Sequence, residues 1–191
     1  MPFPLKKNDT GWTWGDYRTW PDEERWEIIG GEARAMAPAP STAHQQVVGR
    51  LFSRIEQHLS GKPCRPFIAP TDVKFSEWDV VQPDILVVCI PSRILPTHIV
   101  GAPEVVVEVL SPATAARDVR EKKALYERFG VAEYMIVDPL EHYAIRFLLI
   151  DSGYDKGTVF GAGNRARLPS GMGETDCTFC IPLTVSMLIG V

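Results

Sequence analysis

Two acidic residues lie within segments that are otherwise strongly apolar. Asp84 occurs in VVQPDILVV and Glu108 occurs in VVVEVL, and both segments have the Val- and Ile-rich composition of buried β-strands. Because burial of an unpaired carboxylate is unfavourable, each acid needs a cationic partner, a proton or a metal ion. If the two strands are neighbours, the carboxylates converge at one edge of the sheet, where with a backbone carbonyl and waters they suit Mg²⁺. The alternative is that each acid pairs with an arginine or a lysine.

A lysine on the following helix could complete this site. The segment ATAARDVREKKALYERFG (113–130) predicts a helix closed by its final glycine, with Asp118, Lys122 and Tyr126 on one face. Since this helix directly follows the Glu108 strand, its first half begins near that carboxylate. Lys122 could then orient an attacking water or stabilise charge on a phosphate, and Asp118 is a second candidate on the same face. The alternative is a solvated face that carries ordinary ion pairs.

The segments that must position these residues alternate between helical and strand patterns. Residues 26–29 and 33–37 predict a hairpin turned by two glycines, and Ser41 or Thr42 caps a helix of about 18 residues with an apolar stripe. The predicted strands are then FIAP, DVKF, a single longer VVQPDILVVCI, EVVVEVL (104–110), EYMIVDP (133–139) and its antiparallel neighbour YAIRFLLI (143–150). This order predicts an α/β domain built on a mixed sheet.

The composition is that of an ordinary globular protein, with 191 residues of which 45% are hydrophobic and 23% are charged. The sequence contains no internal repeat and no long linker, so we expect a single domain over residues 1–191. Residues 1–25 predict an arm that packs its tryptophans onto the body. The tail beyond residue 150 predicts a β-rich extension that ends in the candidate helix PLTVSMLI.

Charge and hydropathy exclude some classes of function. The net charge of −4 argues against non-specific coating of nucleic acid, which needs many basic groups, but it permits a local basic groove or a metal site. The sequence contains no run of 18 apolar residues, which a membrane-spanning helix would need. The segment MPFPLKKNDTGW lacks the apolar segment of a signal peptide. We therefore expect a cytoplasmic protein without a membrane partner.

The four cysteines predict neither a zinc site nor a redox site. Cys89 lies in the apolar run ILVVCI, which is typical of a small buried hydrophobic residue. Cys177 and Cys180 form one CxxC pair, but Cys64 and Cys89 do not form a second pair to complete four zinc ligands. We expect these thiols to be reduced, as in most cytoplasmic proteins.

An ordered series of motifs resembles the Uma-type restriction endonuclease family of the PD-(D/E)XK nuclease superfamily. The series is TWGDYRTWPDEERWEIIGGE, MAPAPSTAH, QPDILVV, GAPEVVVEVLSPAT and RDVREKKALYERFGVAEYMIVDP, and it covers nearly the whole chain. The resemblance implies a restriction-endonuclease-like fold, in which helices flank a mixed β-sheet. It also implies a divalent-metal site and a homodimer.

The resemblance assigns roles by position. Asp84 corresponds to the aspartate of the PD motif and Glu108 to the acid of the second strand. The superfamily lysine two residues later is replaced by Leu110, and the resemblance implies that Lys122 substitutes for it. Two further residues match family motifs and are second-tier candidates, Glu27 of the hairpin and His44 of the first long helix. Two positions depart from the pattern, since Gly30 stands where we expect aspartate and Met135 where tryptophan is usual.

These observations lead to a hypothesis of metal-dependent hydrolysis of nucleic acid, most specifically an endodeoxyribonuclease. Asp84, Glu108 and the carbonyl of Val109 would hold Mg²⁺ or Mn²⁺, and Lys122 would position the attacking water. The flanking phosphates would meet nearby basic residues, namely Arg117, Arg120 and Lys123. One alternative is a non-catalytic module that binds nucleic acid or protein and retains the nuclease fold. A small-molecule hydrolase that uses the same metal site is another.

Overall fold

A computed structural model describes residues 11–21, 24–36, 39–111 and 118–161, and of Asp118 it describes the backbone alone. The three α-helices of this part are α1 (Trp14–Tyr17), α2 (Thr42–Leu59) and α3 (Lys123–Phe129). Its strands are β1 (Trp26–Ile29), β2 (Glu32–Ala35), β3 (Arg65–Ile68), β4 (Val73–Ser76), β5 (Asp79–Val81), β6 (Ile85–Val88), β7 (Ile99–Val100), β8 (Val105–Val109), β9 (Glu133–Asp138), β10 (Tyr143–Ile150), β11 (Gly153–Tyr154) and β12 (Thr158–Gly161). A 3₁₀ turn (Pro91–Arg93) and a π-helical turn (Asp118–Lys122) complete the elements.

The strands form two mixed sheets, which confirms the predicted α/β class. The larger, seven-stranded sheet has the order β11-β10-β9-β8-β6-β3, and β12 also pairs with β10. Within it, β8 and β9 are parallel and the other pairs are antiparallel. The smaller, five-stranded sheet has the order β2-β1-β5-β4-β7, in which only β4 and β7 are parallel.

Each face of the larger sheet is covered by a different layer. The apolar stripe of α2 packs on one face, and it includes Val48, Leu51 and Ile55. The other face packs against α3 and against strands of the smaller sheet. The helix predicted after Ser41 is confirmed, since the Ser41 hydroxyl caps it by accepting a hydrogen bond from the backbone N–H of His44 at 3.2 Å.

The predicted hairpin is confirmed, and its turn explains a departure from the family pattern. Gly30 and Gly31 have φ angles of +59° and +80°, and two left-handed residues are what a tight two-residue hairpin turn requires. The N–H of Gly30 also donates to the Asp79 carboxylate at 2.8 Å. Glycine at position 30 therefore suits the turn. The hairpin then pairs with β5 through Ile28 and Val80.

The prediction of one long strand over VVQPDILVVCI is wrong. β5 ends at Val81 and belongs to the smaller sheet, whereas β6 begins at Ile85 and belongs to the larger sheet. The break falls around Pro83, which has no N–H to donate to a sheet ladder. As a result Asp84 lies where the chain passes from one sheet to the other.

The predicted helix over 113–130 is described from residue 118 onward. Its first described turn is π-helical and continues into α3, which ends at Gly130 with φ at +80°, as predicted for a C-terminal glycine. A π-helical turn is rare and occurs often at functional sites. Here it carries Lys122.

The prediction that Cys64 and Cys89 are reduced is wrong, although Cys89 packs against the apolar core as a partly buried residue. A disulfide joins the two cysteines in the structure. The antiparallel register pairs Arg65 with Val88, so the next position outward sets Cys64 beside Cys89. Since 25 residues separate them along the chain, only the pairing of β3 with β6 brings them together.

The arm packs its aromatic residues onto the body as predicted. Trp20 is buried in a cluster with Ile28 and Val80, against which Trp12 and Trp14 also pack. Of the β-rich extension, β11 and β12 are described, whereas the candidate terminal helix and the CxxC pair lie outside the described residues. None of the helices in the described ranges has the length and apolar character needed to cross a bilayer.

Candidate functional site

Asp84 directly precedes β6, and Glu108 lies on the neighbouring strand β8. The antiparallel pairing of β6 and β8 sets Ile85 opposite Val107, and one step further this register sets Asp84 opposite Glu108. The Glu108 side chain is 4% exposed and the Asp84 side chain is 21% exposed. Glu108 is thus buried in the sheet, whereas Asp84 reaches solvent just before β6 begins.

Lys122 lies between two buried carboxylates. Its Nζ atom is 2.9 Å from Oε1 of Glu108 and 2.9 Å from Oε1 of Glu27. All three side chains are almost fully buried. Attraction between opposite charges is strong where water is excluded, so the two carboxylates hold this ammonium in a defined position.

Glu27 reaches the site because β1 pairs with β5. This pairing sets Glu27 beside the end of β5, where the backbone N–H of Gln82 donates to Glu27 Oε1 at 3.0 Å. The resemblance marked Glu27 as a second-tier candidate. The structure brings it into direct contact with Lys122.

Tyr126 is a member of the network to which the sequence analysis assigned no role. It lies one turn after Lys122, and its hydroxyl donates to Oε1 of Glu108 at 2.7 Å. Burial, together with the neighbouring Glu108 carboxylate, raises the pKa of the Tyr126 phenol well above its usual value. The phenol therefore keeps its proton and remains a donor to Glu108. Its position four residues after Lys122, on the same face of the helix, was the sequence signal that could have predicted this role.

We expect Tyr126→Phe to lower the free energy of unfolding by about 1–3 kcal/mol, because the buried Glu108 carboxylate loses a donor. Urea denaturation of the full chain measures this change. Tyr143→Phe, at a partly exposed tyrosine of β10, is the matched control and should change stability by less than about 0.5 kcal/mol. Equal effects of the two substitutions would contradict a role for the phenol in holding Glu108.

His44 and Val109 hold the Asp84 carboxylate. The N–H of Val109 donates to Asp84 Oδ2 at 2.8 Å, and His44 Nε2 lies 3.3 Å from the same oxygen. His44 Nε2 is also 3.0 Å from the Val109 carbonyl oxygen. Since both partners of Nε2 are acceptors, this nitrogen must carry the hydrogen. His44 thus acts on Asp84 and Val109 as a hydrogen-bond donor.

The donors at this site fit a hard divalent cation. Within the described ranges, no three His, Cys, Asp or Glu side chains form a ligand cluster on their own. The predicted donor set is the two carboxylates of Asp84 and Glu108 with the Val109 carbonyl, to which water would add the remaining ligands. One or two carboxylates with several waters are the usual protein ligands of Mg²⁺. A softer metal would favour histidine or cysteine ligands.

The other predicted residues are Arg117, Asp118, Arg120 and Lys123. Arg117 and the side chain of Asp118 are outside the described residues. Arg120 is exposed on the π-helical turn, where it can meet solvent or a ligand. Lys123 turns away from Lys122, and its Nζ atom lies 4.1 Å from the centre of the Phe147 ring.

Another buried carboxylate, Glu133, lies at the start of β9. Burial raises its pKa from 4.5 to about 7, although the nearby Arg146 guanidinium opposes this shift. The folded state therefore keeps a proton on Glu133 at pH values where the unfolded chain has released it. This difference links the stability of the fold to pH.

We expect this linkage to lower the free energy of unfolding as the pH rises from about 4.5 to about 7. The loss contributed by Glu133 should be up to about 3 kcal/mol, and it should be complete above pH 7. In Glu133→Gln this contribution is absent, so the variant should gain stability relative to the wild type between pH 5 and pH 8. Urea denaturation at both pH values measures the difference, and the exposed Glu141→Gln is the control. A constant difference between variant and wild type would contradict the raised pKa.

Comparisons with known proteins agree with this fold. The family model of Uma2, described as "Putative restriction endonuclease", matches residues 14–180. An uncharacterized protein of Synechocystis sp. is 33% identical over 130 residues, which are 65% of this chain and 64% of that protein, so the match spans less than two thirds of its length.

A solved structure is similar over almost the whole chain. It is a "putative nuclease belonging to DUF820" from Anabaena variabilis ATCC 29413, with a TM-score of 0.73 and 21% identity. The match covers 93% of this chain and 97% of that one, which shows that the two proteins share a fold. Together with the family match over most of the sequence, this confirms the resemblance, and the chain belongs to the Uma2 family.

Proposed function

We propose that this protein is a metal-dependent nuclease that hydrolyses phosphodiester bonds in nucleic acid, specifically DNA. The observation that carries the proposal is that the Asp84 carboxylate accepts from the backbone N–H of Val109, directly after Glu108, while the Lys122 ammonium lies 2.9 Å from Glu108. Membership of a family described as "Putative restriction endonuclease", and the likeness to a "putative nuclease" fold, support the same class of activity.

The carboxylates of Asp84 and Glu108, with the carbonyl of Val109, would hold Mg²⁺ or Mn²⁺, and the ion would supply Lewis-acid chemistry toward a phosphate oxygen and a water molecule. Lys122 supplies a fixed positive charge beside these oxygens. An ammonium group that is already oriented can stabilise negative charge developing on a phosphate without reorganisation during the reaction. It also donates protons in hydrogen bonds, so it can orient the attacking water.

Two residues act through these groups. His44 holds the carboxylate of Asp84 and the carbonyl of Val109, and Tyr126 holds one oxygen of Glu108. Residues that orient metal ligands in this way contribute to affinity and rate without touching the substrate. His44 and Tyr126 are therefore positioning residues.

Cleavage assays on the purified full chain test the proposal. Supercoiled plasmid, single-stranded DNA and RNA are each incubated with Mg²⁺, Mn²⁺ or EDTA, and the same assays are run on Glu108→Gln. We expect cleavage of DNA that requires the metal and falls by about 100-fold or more in the variant. Cleavage that persists in EDTA or in Glu108→Gln would contradict the proposal. A gel shift of DNA without cleavage would favour the non-catalytic binding module.

The resemblance also implies a homodimer, and we include this assembly in the proposal. Light scattering of the full chain gives the molar mass in solution. We expect twice the mass of 21.3 kDa. A mass of one chain at micromolar concentration would contradict the dimer.

A further inference from the structure

A cleft next to the site has no role in the chemistry described above. It has a volume of about 420 Å³ and is lined by α1, by the segment that leads into β1 and by Gln82. A second cavity of about 320 Å³ adjoins it, and the two share Pro70, Asp72, Gln82 and Thr97. Binding pockets for small molecules have volumes of roughly 300–1,000 Å³. We call the two together the Gln82 cleft.

The walls of the Gln82 cleft are aromatic. Trp14, Tyr17 and Trp20 line the larger cavity, and His98 lines the smaller one. The Trp14 and His98 rings lie 4.5 Å apart, so the aromatic wall continues from one cavity to the other. Such walls favour flat, unsaturated ligands, because aromatic rings attract one another in stacked or edge-to-face contact.

The floor of the cleft is polar and rigid. The Gln82 amide donates to the Tyr17 hydroxyl at 3.1 Å and to the Asp72 carboxylate at 2.8 Å. It accepts from Arg25 at 2.7 and 3.0 Å. Four hydrogen bonds thus fix this side chain and use its whole hydrogen-bonding capacity, so Gln82 shapes the floor and leaves hydrogen bonding to a ligand to the other polar groups of the lining.

The charges of the larger cavity balance one another. Its lining includes two cationic residues, Arg18 and Arg25, and two acidic residues, Glu24 and Asp72. A bare cation would meet two guanidinium groups, and a bare anion would meet two carboxylates. The lining therefore suits a group that is neutral at its centre and polar at its edges.

Gln82 connects the cleft to the candidate site. Its side chain lines both cavities, and its backbone N–H donates to Glu27, which contacts Lys122. Asp84 follows two residues later in the sequence. Because two residues of chain span at most about 7 Å, a nucleic acid whose phosphate lay at Asp84 would have a neighbouring nucleotide within reach of Gln82.

From these observations we infer that the Gln82 cleft binds an unpaired nucleobase of the substrate, next to the phosphate that is cleaved. This inference rests on the proposed nuclease function, because it takes the substrate to be nucleic acid. A nucleobase is flat, neutral and polar at its edges, as the lining requires. Since a paired base is covered by its neighbours, the cleft predicts a preference for single-stranded segments.

Binding in EDTA tests the cleft without cleavage. The probes are a fluorescein-labelled 12-nucleotide oligothymidylate, an oligomer of the same length made of abasic nucleotides, and a 12-base-pair duplex. The first two carry the same phosphates, so a difference between them reports on the bases. We expect the wild type to bind the oligothymidylate about tenfold more tightly than the abasic oligomer, as stacking of one base on an aromatic wall provides. Equal affinity, tighter binding of the duplex or no binding of either single strand would overturn the inference.

A variant that fills the cleft localises the effect. Thr97 is exposed and lines both cavities, so Thr97→Trp blocks the cleft without removing a core contact. We expect Thr97→Trp to bind oligothymidylate no better than the abasic oligomer, with unchanged affinity for the latter. Thr158→Trp, at an exposed position of β12, is the matched control and should keep the tenfold preference. A tenfold preference that survives Thr97→Trp would overturn the assignment to this cleft.

The cleft and the nuclease proposal fail in distinguishable ways. Metal-dependent cleavage without any preference for bases would overturn the assignment of the cleft and leave the nuclease proposal intact. If the protein does not cleave but shows a preference for bases that Thr97→Trp removes, the result would support base binding in the cleft and overturn the nuclease proposal.

Discussion

Replacing Lys122 by methionine should abolish cleavage and also destabilise the fold. Lys122 is the cation that two buried carboxylates share, at 2.9 Å from each. Methionine has a similar length but no charge, so Glu27 and Glu108 would face each other without an ammonium group between them. Removal of one partner from a buried ion pair costs about 3–5 kcal/mol, and we expect a loss of that size in urea denaturation.

A second substitution separates the two effects. In Glu27→Gln/Lys122→Met, the Glu27 carboxylate charge is removed together with the ammonium. The remaining Glu108 carboxylate still accepts the hydrogen bond from the Tyr126 hydroxyl. We expect the double variant to regain at least about 1 kcal/mol of stability over Lys122→Met, because the two sites are in contact and are not additive. Cleavage should stay about 100-fold or more below that of the wild type.

The neighbouring lysine is the control. Lys123 lies against the Phe147 ring, away from the acids, so Lys123→Met should keep both activity and most of the stability. Full activity in Lys122→Met or in the double variant would show that the ammonium has a structural role alone. Recovery of activity along with stability in the double variant would lead to the same conclusion.

Asp84→Asn should remove metal binding with little effect on the fold. Asp84 is the more exposed of the two acids, and an asparagine oxygen can still accept the hydrogen bond from Val109. The amide lacks the negative charge that attracts a divalent cation. We expect the affinity for Mn²⁺, measured by titration calorimetry, to fall by about 100-fold or more, and cleavage to fall with it. The melting temperature should change by no more than a few degrees.

Asp79 provides the matched control. This aspartate is also in the strand region that leads to Asp84, but its carboxylate accepts from Gly30, Ser76 and Arg128. Asp79→Asn should therefore lower the free energy of unfolding by about 1–3 kcal/mol and leave Mn²⁺ affinity unchanged. Unchanged Mn²⁺ affinity in Asp84→Asn would remove Asp84 from the proposed metal site.

The local parts of this fold follow from local signals. The apolar stripe and the Ser41 cap predicted α2, and the paired glycines predicted the β1–β2 hairpin. These features depend on propensities and hydrogen bonds within a few residues, which are visible in the sequence. The acids Asp84 and Glu108 were visible for a related reason, since a charged residue in an apolar strand demands a partner.

The identity of those partners depended on the tertiary structure. Glu27 meets Lys122 only because β1 pairs with β5, and His44 meets Asp84 only because α2 packs on the larger sheet. The disulfide between Cys64 and Cys89 likewise depends on the pairing of β3 with β6.

The spacing along the chain therefore predicted which residues require neighbours, and the packing of the two sheets decided which neighbours they have. The physical reason is that an unpaired buried charge is unfavourable wherever it lies, so its need for a partner is apparent from its own segment. The register of distant strands is instead set by the burial of the whole core, in which no single segment determines the outcome.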